Sequence, residues 1–376
     1  MTSILIRCDA SLLIGSGHVM RCRTLARELC VGGADVSFLC RRQTGDLISL
    51  LKSEFQVYVL PELPLLSTTS SDGTPLQGRD LYNAWLGCSQ DQDVADCLDS
   101  LRRGGSKCPD WLVVDHYGLD ARWESLLLTG LADSTISPKL FVIDDLADRP
   151  HKADVLLDQN FFGEATYERY KSLVPQHCLH LLGPSYALLA PEYLLLHRLL
   201  PPRCELRRVF VFFGAVDSGN LTTLALEVLS DPAFNNISVD VVLGLQSPHR
   251  KSITKYASLR SNVMLYEPLP SLAGLMARAD LSIGAVGSTT WERACLGLPT
   301  IAIPSADNQA LVAKALAQQD YIQLVPFEAK STKEDLLHAA KLYISNDYIH
   351  NASLRCKSLT MGEGTEICSR LLLKSR

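Results

Sequence analysis

No run in the 376 residues approaches the roughly 20 consecutive apolar positions that span a bilayer, so no membrane partner is expected. A basic surplus is missing too: 36 Lys and Arg face 41 Asp and Glu, a formal net charge of -5. A general nucleic-acid binder needs a basic face to displace counterions from phosphates, so that class is excluded and any bound phosphate must be held locally. The N-terminus lacks the basic region, apolar stretch and cleavage site of a signal peptide. The chain has 12 cysteines but no C-x-x-C pair and no zinc-ligand spacing. They read as buried free thiols in a reducing, cytoplasmic setting, Cys22, Cys30, Cys40 and Cys295 among them, and no metal is expected.

What is present is the balance of a folded globular protein, 47% hydrophobic and 20% charged. At roughly 150 residues per domain the length suggests two domains, each able to close a core. Short β-branched or apolar runs alternate with helical patterns, the signature of parallel sheets built from βαβ units. The first series of candidate strands is Ile4 to Cys8, Val36 to Cys40, Val57 to Leu60, Trp111 to Asp115, Leu140 to Asp144 and Val155 to Asp158. The second is Val209 to Phe213, Val239 to Leu243, Val263 to Tyr266, Leu281 to Gly284, Thr300 to Ile303 and Ile322 to Val325. Between them Leu195 to Arg208 reads as a hinge, because Pro201-Pro202 can neither continue a helix nor enter a central strand. The expected domains are 1–200 and 201–376. Ser67 to Gly78, rich in Ser, Thr, Gly and Pro, is expected to be an exposed loop.

Ligands of open α/β sheets collect outside the carboxyl ends of the strands. In the first half those ends are Asp9, Asp115-His116, Asp144-Asp145 and Asp158-Gln159-Asn160, although Asp and Asn there also cap the helices that follow. After the first strand, Gly15 and Gly17 form a tight turn. Val19, Cys22, Leu25, Ala26 and Leu29 then mark an amphipathic helix stopped by Gly32-Gly33. His18 therefore lies in a first helical turn, where the partial positive charge disfavours an imidazolium and leaves a ring able to accept a proton. A packing or capping role is the plainer alternative. Gly15-x-Gly17 could also open a dinucleotide site, with Arg41-Arg42 on an NADP phosphate, but Met20 stands where the third glycine belongs.

In the second half, Ile283 to Glu292 runs from a strand through small residues into a helix. Unpaired N–H groups there suit a diphosphate, and Glu292 one turn inside could accept hydrogen bonds from ribose hydroxyls. A Ser/Thr cap would explain Ser288 or Thr289 but not Gly287. Phe213 to Asn220, with Gly214, is a similar turn, and Asp307-Asn308-Gln309 follows another strand.

Taken together, Arg7 to Ser11, Ile14 to Cys22, DWLVVDHYGLD (Asp110 to Asp120), VIDDLADRP (Val142 to Pro150), LDQN (Leu157 to Asn160), Gly183 to Leu189 and Gly287 to Glu292 resemble the UDP-2,4-diacetamido-2,4,6-trideoxy-β-L-altropyranose hydrolases of pseudaminic acid biosynthesis. The resemblance covers nearly the whole chain. It implies a GT-B-like fold, two Rossmann-like domains with an interdomain cleft, UDP held by the C-terminal one and the sugar facing the N-terminal one. It makes His18 the catalytic base of an inverting, metal- and cofactor-free hydrolysis of a UDP-sugar; a GT-B glycosyltransferase is the alternative. Substrate contacts are expected from Asp9, Gly15, Gly17, Arg21, Tyr117 and Asn160 in the first half, and from Gly214, Gly287, Ser288, Thr289, Glu292, Asn308 and Gln309 in the second. Ala215 and Val286 stand where the family has glycine-rich turns, and Ser67 to Gly78 looks like an insertion.

Overall fold

The computed structural model describes residues 1–63, 69, 74–132, 137–244, 247–305, 307–327 and 332–374. Half of the Ser67 to Gly78 segment falls outside them. The chain forms two compact units: Met1–Asn160, Glu164–Leu188 and Gly364–Arg376 make the first, Phe161–Gly163 and Leu189–Glu363 the second.

The first unit is built on seven strands: β1 (Ser3–Cys8), β2 (Asp35–Arg41), β3 (Gln56–Leu60), β4 (Trp111–Asp115), β5 (Lys139–Ile143), β6 (Val155–Asp158) and β7 (Leu179–Leu182). They lie in the order β3-β2-β1-β4-β5-β6-β7, all parallel. Successive side chains of a strand point to opposite faces. Ile4, Ile6 and Cys8 therefore enter a core with the helix Gly17–Val31, and Leu5 enters another with Leu112, Val114 and Trp123. Both faces are covered, as a parallel sheet requires.

The second unit has six parallel strands: β8 (Arg208–Phe212), β9 (Ser238–Val242), β10 (Val263–Tyr266), β11 (Leu281–Gly284), β12 (Thr300–Ala302) and β13 (Gln323–Leu324). Their order is β10-β9-β8-β11-β12-β13. Its core gathers Val209, Val211, Val239, Val241, Ile283 and Ile301 with the following helices.

Three features differ from the sequence reading. Leu195 to Leu199 belong to a helix, Pro191–Leu199, which stops just before the prolines; Arg203 beyond them is buried and donates to the carbonyls of Ala279 and Leu296. The expected hinge is thus an anchored part of the second unit. The last helix, Gly364–Lys374, packs on Gly17–Val31 of the first unit, a return no local pattern announces. All 12 cysteines are free, and Cys30 is exposed rather than buried, because the apolar stripe of its helix ends at Leu29. Among the described residues no helix is long and apolar enough to cross a membrane.

Candidate active site

In the first unit the site begins where β1 ends. Gly15 takes φ +80°, a left-handed conformation that glycine adopts without strain, and its N–H closes the turn onto the Ser11 carbonyl at 2.8 Å. Gly17 opens the helix with nothing within 4 Å of where a Cβ would stand. His18 follows, buried but not sealed, its side chain 7% exposed. Its Nδ1 lies 2.6 Å from Oδ1 of Asp115, the last residue of β4. Parallel pairing of β1 with β4 brings them together, since Cys8 and Asp115 share one register position.

Asp115 is fully buried. Burial alone would push its carboxyl up; Arg21 and His18 outweigh that and hold it well below the usual carboxylate range. An ionised carboxylate only accepts, so Nδ1 carries a proton, and in the neutral ring Nε2 is the acceptor. Nε2 has no hydrogen-bond partner among the described residues. Arg21, expected at the substrate, spends its guanidinium on Asp115, through two bonds of 2.6 Å, and on Asp145 at 3.0 Å. It fixes the carboxylate that fixes the base. Tyr117 presents its ring edge-on to His18 at a centroid distance of 4.6 Å.

Behind this pair lies a second ionic layer. Arg7 donates to Asp9 at 2.6 Å and to Asp93 at 3.0 Å; Arg41 donates to Asp93 at 2.6 Å, and Trp123 Nε1 donates to it at 3.0 Å. Burial would raise the Asp93 carboxyl, but the two guanidinium groups bring it down to about 2. Asp9, also assigned to substrate, is fully buried here and accepts from Arg7 and the Arg41 backbone. His116, against Asp9, is pushed down to about 4 by burial despite that carboxylate, and it stays neutral. Arg41, the NADP-phosphate candidate, is only 1% exposed and already committed, which removes it from that reading.

Farther along the sheet edge, Asp158 sits with Arg169 at 2.5 Å and is pushed up to about 8 by burial and by Asp145, against the pull of Arg169. Its Oδ1 accepts from the Asn160 backbone at 2.9 Å, so the Asn160 side chain is carried on a braced turn at the end of β6.

The second unit's site is made of small residues. Gly214, after β8, takes φ +89°. Gly244 approaches the Ala215 carbonyl so closely that a Cβ would lie 1.7 Å from it; no other residue fits. Asp217 caps the helix Leu221–Val228 through the N–H groups of Leu221 and Thr222, at 2.9 and 3.0 Å. After β11 the chain passes Gly287 into the helix Thr289–Cys295. Ser288 makes no side-chain cap; instead Thr290 Oγ1 accepts from Gly287 N–H at 3.1 Å, and the N–H groups of Ser288 and Thr289 have no partner among the described residues. Glu292 accepts from the Tyr193 hydroxyl on the helix Pro191–Leu199, while its Oε2 is buried without a partner. Burial pushes its carboxyl up to about 7 against the Tyr193 hydrogen bond and Arg293. Gln309 Oε1 accepts from Ser305 N–H at 3.0 Å, closing the turn before its own helix. The side chain of Asn308 lies outside the described residues.

Asp115, Asp145 and Asp93 were not among the expected site residues, although the first two were visible as polar strand ends. No group of three or more His, Cys, Asp or Glu that could hold a metal occurs among the described residues.

Residues 208–351 match the glycosyltransferase family 28 C-terminal domain. The chain is 25% identical over 320 residues, 85% of its length and 97% of the relative's, to the UDP-2,4-diacetamido-2,4,6-trideoxy-beta-L-altropyranose hydrolase of Campylobacter jejuni. Among solved structures it is similar to Acinetobacter baumannii MurG, with a TM-score of 0.62 and 13% identity over 100% of both chains. It is also similar to Arabidopsis thaliana UGT89C1 complexed with UDP, with a TM-score of 0.65 and 13% identity over 99% of this chain and 100% of that one. At such identities the structural likeness shows the fold alone: it is GT-B, with one parallel α/β unit in each half.

Proposed function

We propose that the protein hydrolyses a UDP-linked 2,4-diacetamido-2,4,6-trideoxy sugar to the free sugar and UDP, with inversion at the anomeric carbon. The observation that carries this reading is the His18–Asp115 pair, at 2.6 Å, which leaves Nε2 as a proton acceptor of fixed tautomer. The C. jejuni hydrolase, similar along 85% of the chain, supports the choice of substrate.

In the proposed reaction His18 Nε2 takes a proton from water as its oxygen bonds to the anomeric carbon and the bond to UDP breaks on the opposite face. Asp115 steadies the imidazolium that forms, as the carboxylate of a catalytic triad does. A diphosphate leaves readily without a general acid, and the N–H groups of Ser288 and Thr289 would meet its growing charge. The unpartnered Oε2 of Glu292 would accept from a ribose hydroxyl of the nucleotide. Gly15, Gly17 and Asn160 would line the sugar side, and Gly214, Gly287, Asn308 and Gln309 the nucleotide side. The free thiols suit work in a reducing cytoplasm.

A GT-B transferase would use the same base on an acceptor hydroxyl. Incubating the purified protein with the sugar nucleotide and no acceptor, followed by NMR, separates the two. Release of UDP with the inverted free sugar is expected; an intact substrate until an alcohol acceptor is added would refute hydrolysis.

A further inference from the structure

Aromatic contact at the base extends beyond Tyr117. That ring is only 6% exposed, because Trp85 stacks on it at 5.7 Å and 22° and Tyr82 meets it edge-on at 5.1 Å. Tyr82 and Trp85, themselves in edge contact at 4.9 Å, are half-buried. They form the outer part of an aromatic group whose inner member touches His18.

The helix that carries them, Gly78–Leu86, is clamped in place. Arg79 Nη1 donates to the Tyr117 carbonyl at 2.6 Å, and Gln43 Nε2 donates to the Trp85 carbonyl at 3.0 Å. Gly118 lies so near the Tyr82 carbonyl that a Cβ would stand 2.7 Å from it. Rings held this way lose little freedom when a ligand arrives, so their apolar area is available for recognition.

We propose that Trp85 and Tyr82 are specificity-determining residues that receive the apolar groups of the sugar, its C6 methyl and N-acetyl methyls. The proposal rests on the hydrolase reading for the identity of the sugar. The charged groups around His18 are spent on one another and cannot distinguish a methyl from a hydroxymethyl by attraction; an apolar surface can. Such surfaces discriminate single carbon groups by ~10- to 200-fold.

The test is calorimetry on the full chain carrying His18→Ala, with UDP, UDP-2,4-diacetamido-2,4,6-trideoxy-β-L-altropyranose and UDP-N-acetylglucosamine as titrants. The trideoxy sugar nucleotide is expected to bind at least ~10-fold more tightly than UDP-N-acetylglucosamine. Trp85→Ala is expected to abolish most of that ratio and Trp85→Phe to keep most of it, with affinity for UDP itself unchanged. A ratio near one before substitution, a ratio indifferent to Trp85→Ala, or a parallel fall in UDP affinity would overturn the proposal. Should Trp85→Ala fail to fold, Tyr82→Leu is expected to lower the same ratio, and no change there overturns it equally. Acceptor-free UDP release by the unsubstituted protein is scored separately: release without a Trp85-dependent ratio sinks this inference alone, and the ratio without release sinks the hydrolase reading alone.

Discussion

The turn after β1 leads into a helix whose His18 and Arg21 both rest on one buried carboxylate, whereas the turn after β11 carries no charge until Glu292. The first unit assembles its candidate site from side chains on separate helices and strands, balanced charge against charge in two layers. The second uses backbone and missing side-chain volume: Gly244 against Ala215, and Gly284, where a Cβ would lie 2.4 Å from the Phe212 carbonyl. One site should fail when a partner is neutralised, the other when volume is added. A reacting base needs a fixed tautomer, which only a specific partner provides, while main-chain N–H groups suit an anion whatever the neighbouring side chains.

The sharpest way to break this contrast is Asp115→Asn. The amide can still accept from Arg21, but it can turn an N–H toward His18 Nδ1, which moves the ring proton to Nε2 and removes the base. Turnover should fall ~10²- to 10⁴-fold with UDP affinity unchanged, measured by steady-state kinetics and calorimetry. A variant within a few-fold of the parent would show that the carboxylate does not set the tautomer. Asp93→Ala comes next, since it takes from two buried guanidinium groups the carboxylate they share. A loss of about 3–5 kcal/mol in urea unfolding is expected, and a loss below about 1 kcal/mol would mean that the layer is dispensable.

In the second unit Glu292→Ala should weaken UDP binding by ~10-fold, the worth of one hydrogen bond to a charged acceptor. Unchanged affinity would take Glu292 out of the nucleotide site. The smallest effect is on pH dependence. With its carboxyl raised from 4.5 to about 7 by burial, folded Glu292 keeps a proton that the unfolded chain has released. Its contribution to stability is thus fully present below about pH 4.5 and lost as pH rises to about 7. Glu292→Gln should match the parent near pH 4.5 and melt a few degrees higher at pH 8; parallel melting curves across that range would contradict the shift.

Most strands were legible because each is a short, mainly apolar run. Trp111 to Asp115 and Leu281 to Gly284 needed no adjustment. Strand β7 was missed: Leu179–Leu182 is brief, contains His180 and lies at the sheet edge, where burial imposes little pattern. His18 could be singled out from its turn, and Asp115 from its strand end. Their partnership could not, because it depends on β1 lying beside β4 rather than only beside β2. For the same reason the ion pairs that hold Arg21 and Asp9 could not be read along the chain. The aromatic helix Gly78–Leu86 was hidden because it follows a Ser/Thr-rich segment that reads as loop, and its meaning comes from Tyr117, far away in sequence.

The most direct test is the turnover of His18→Ala on the sugar nucleotide, in a protein shown by calorimetry to bind UDP as the parent does. A rate reduced by ~10²- to 10⁴-fold is predicted. Turnover at the parent's rate would mean that the imidazole held by Asp115 is not the base.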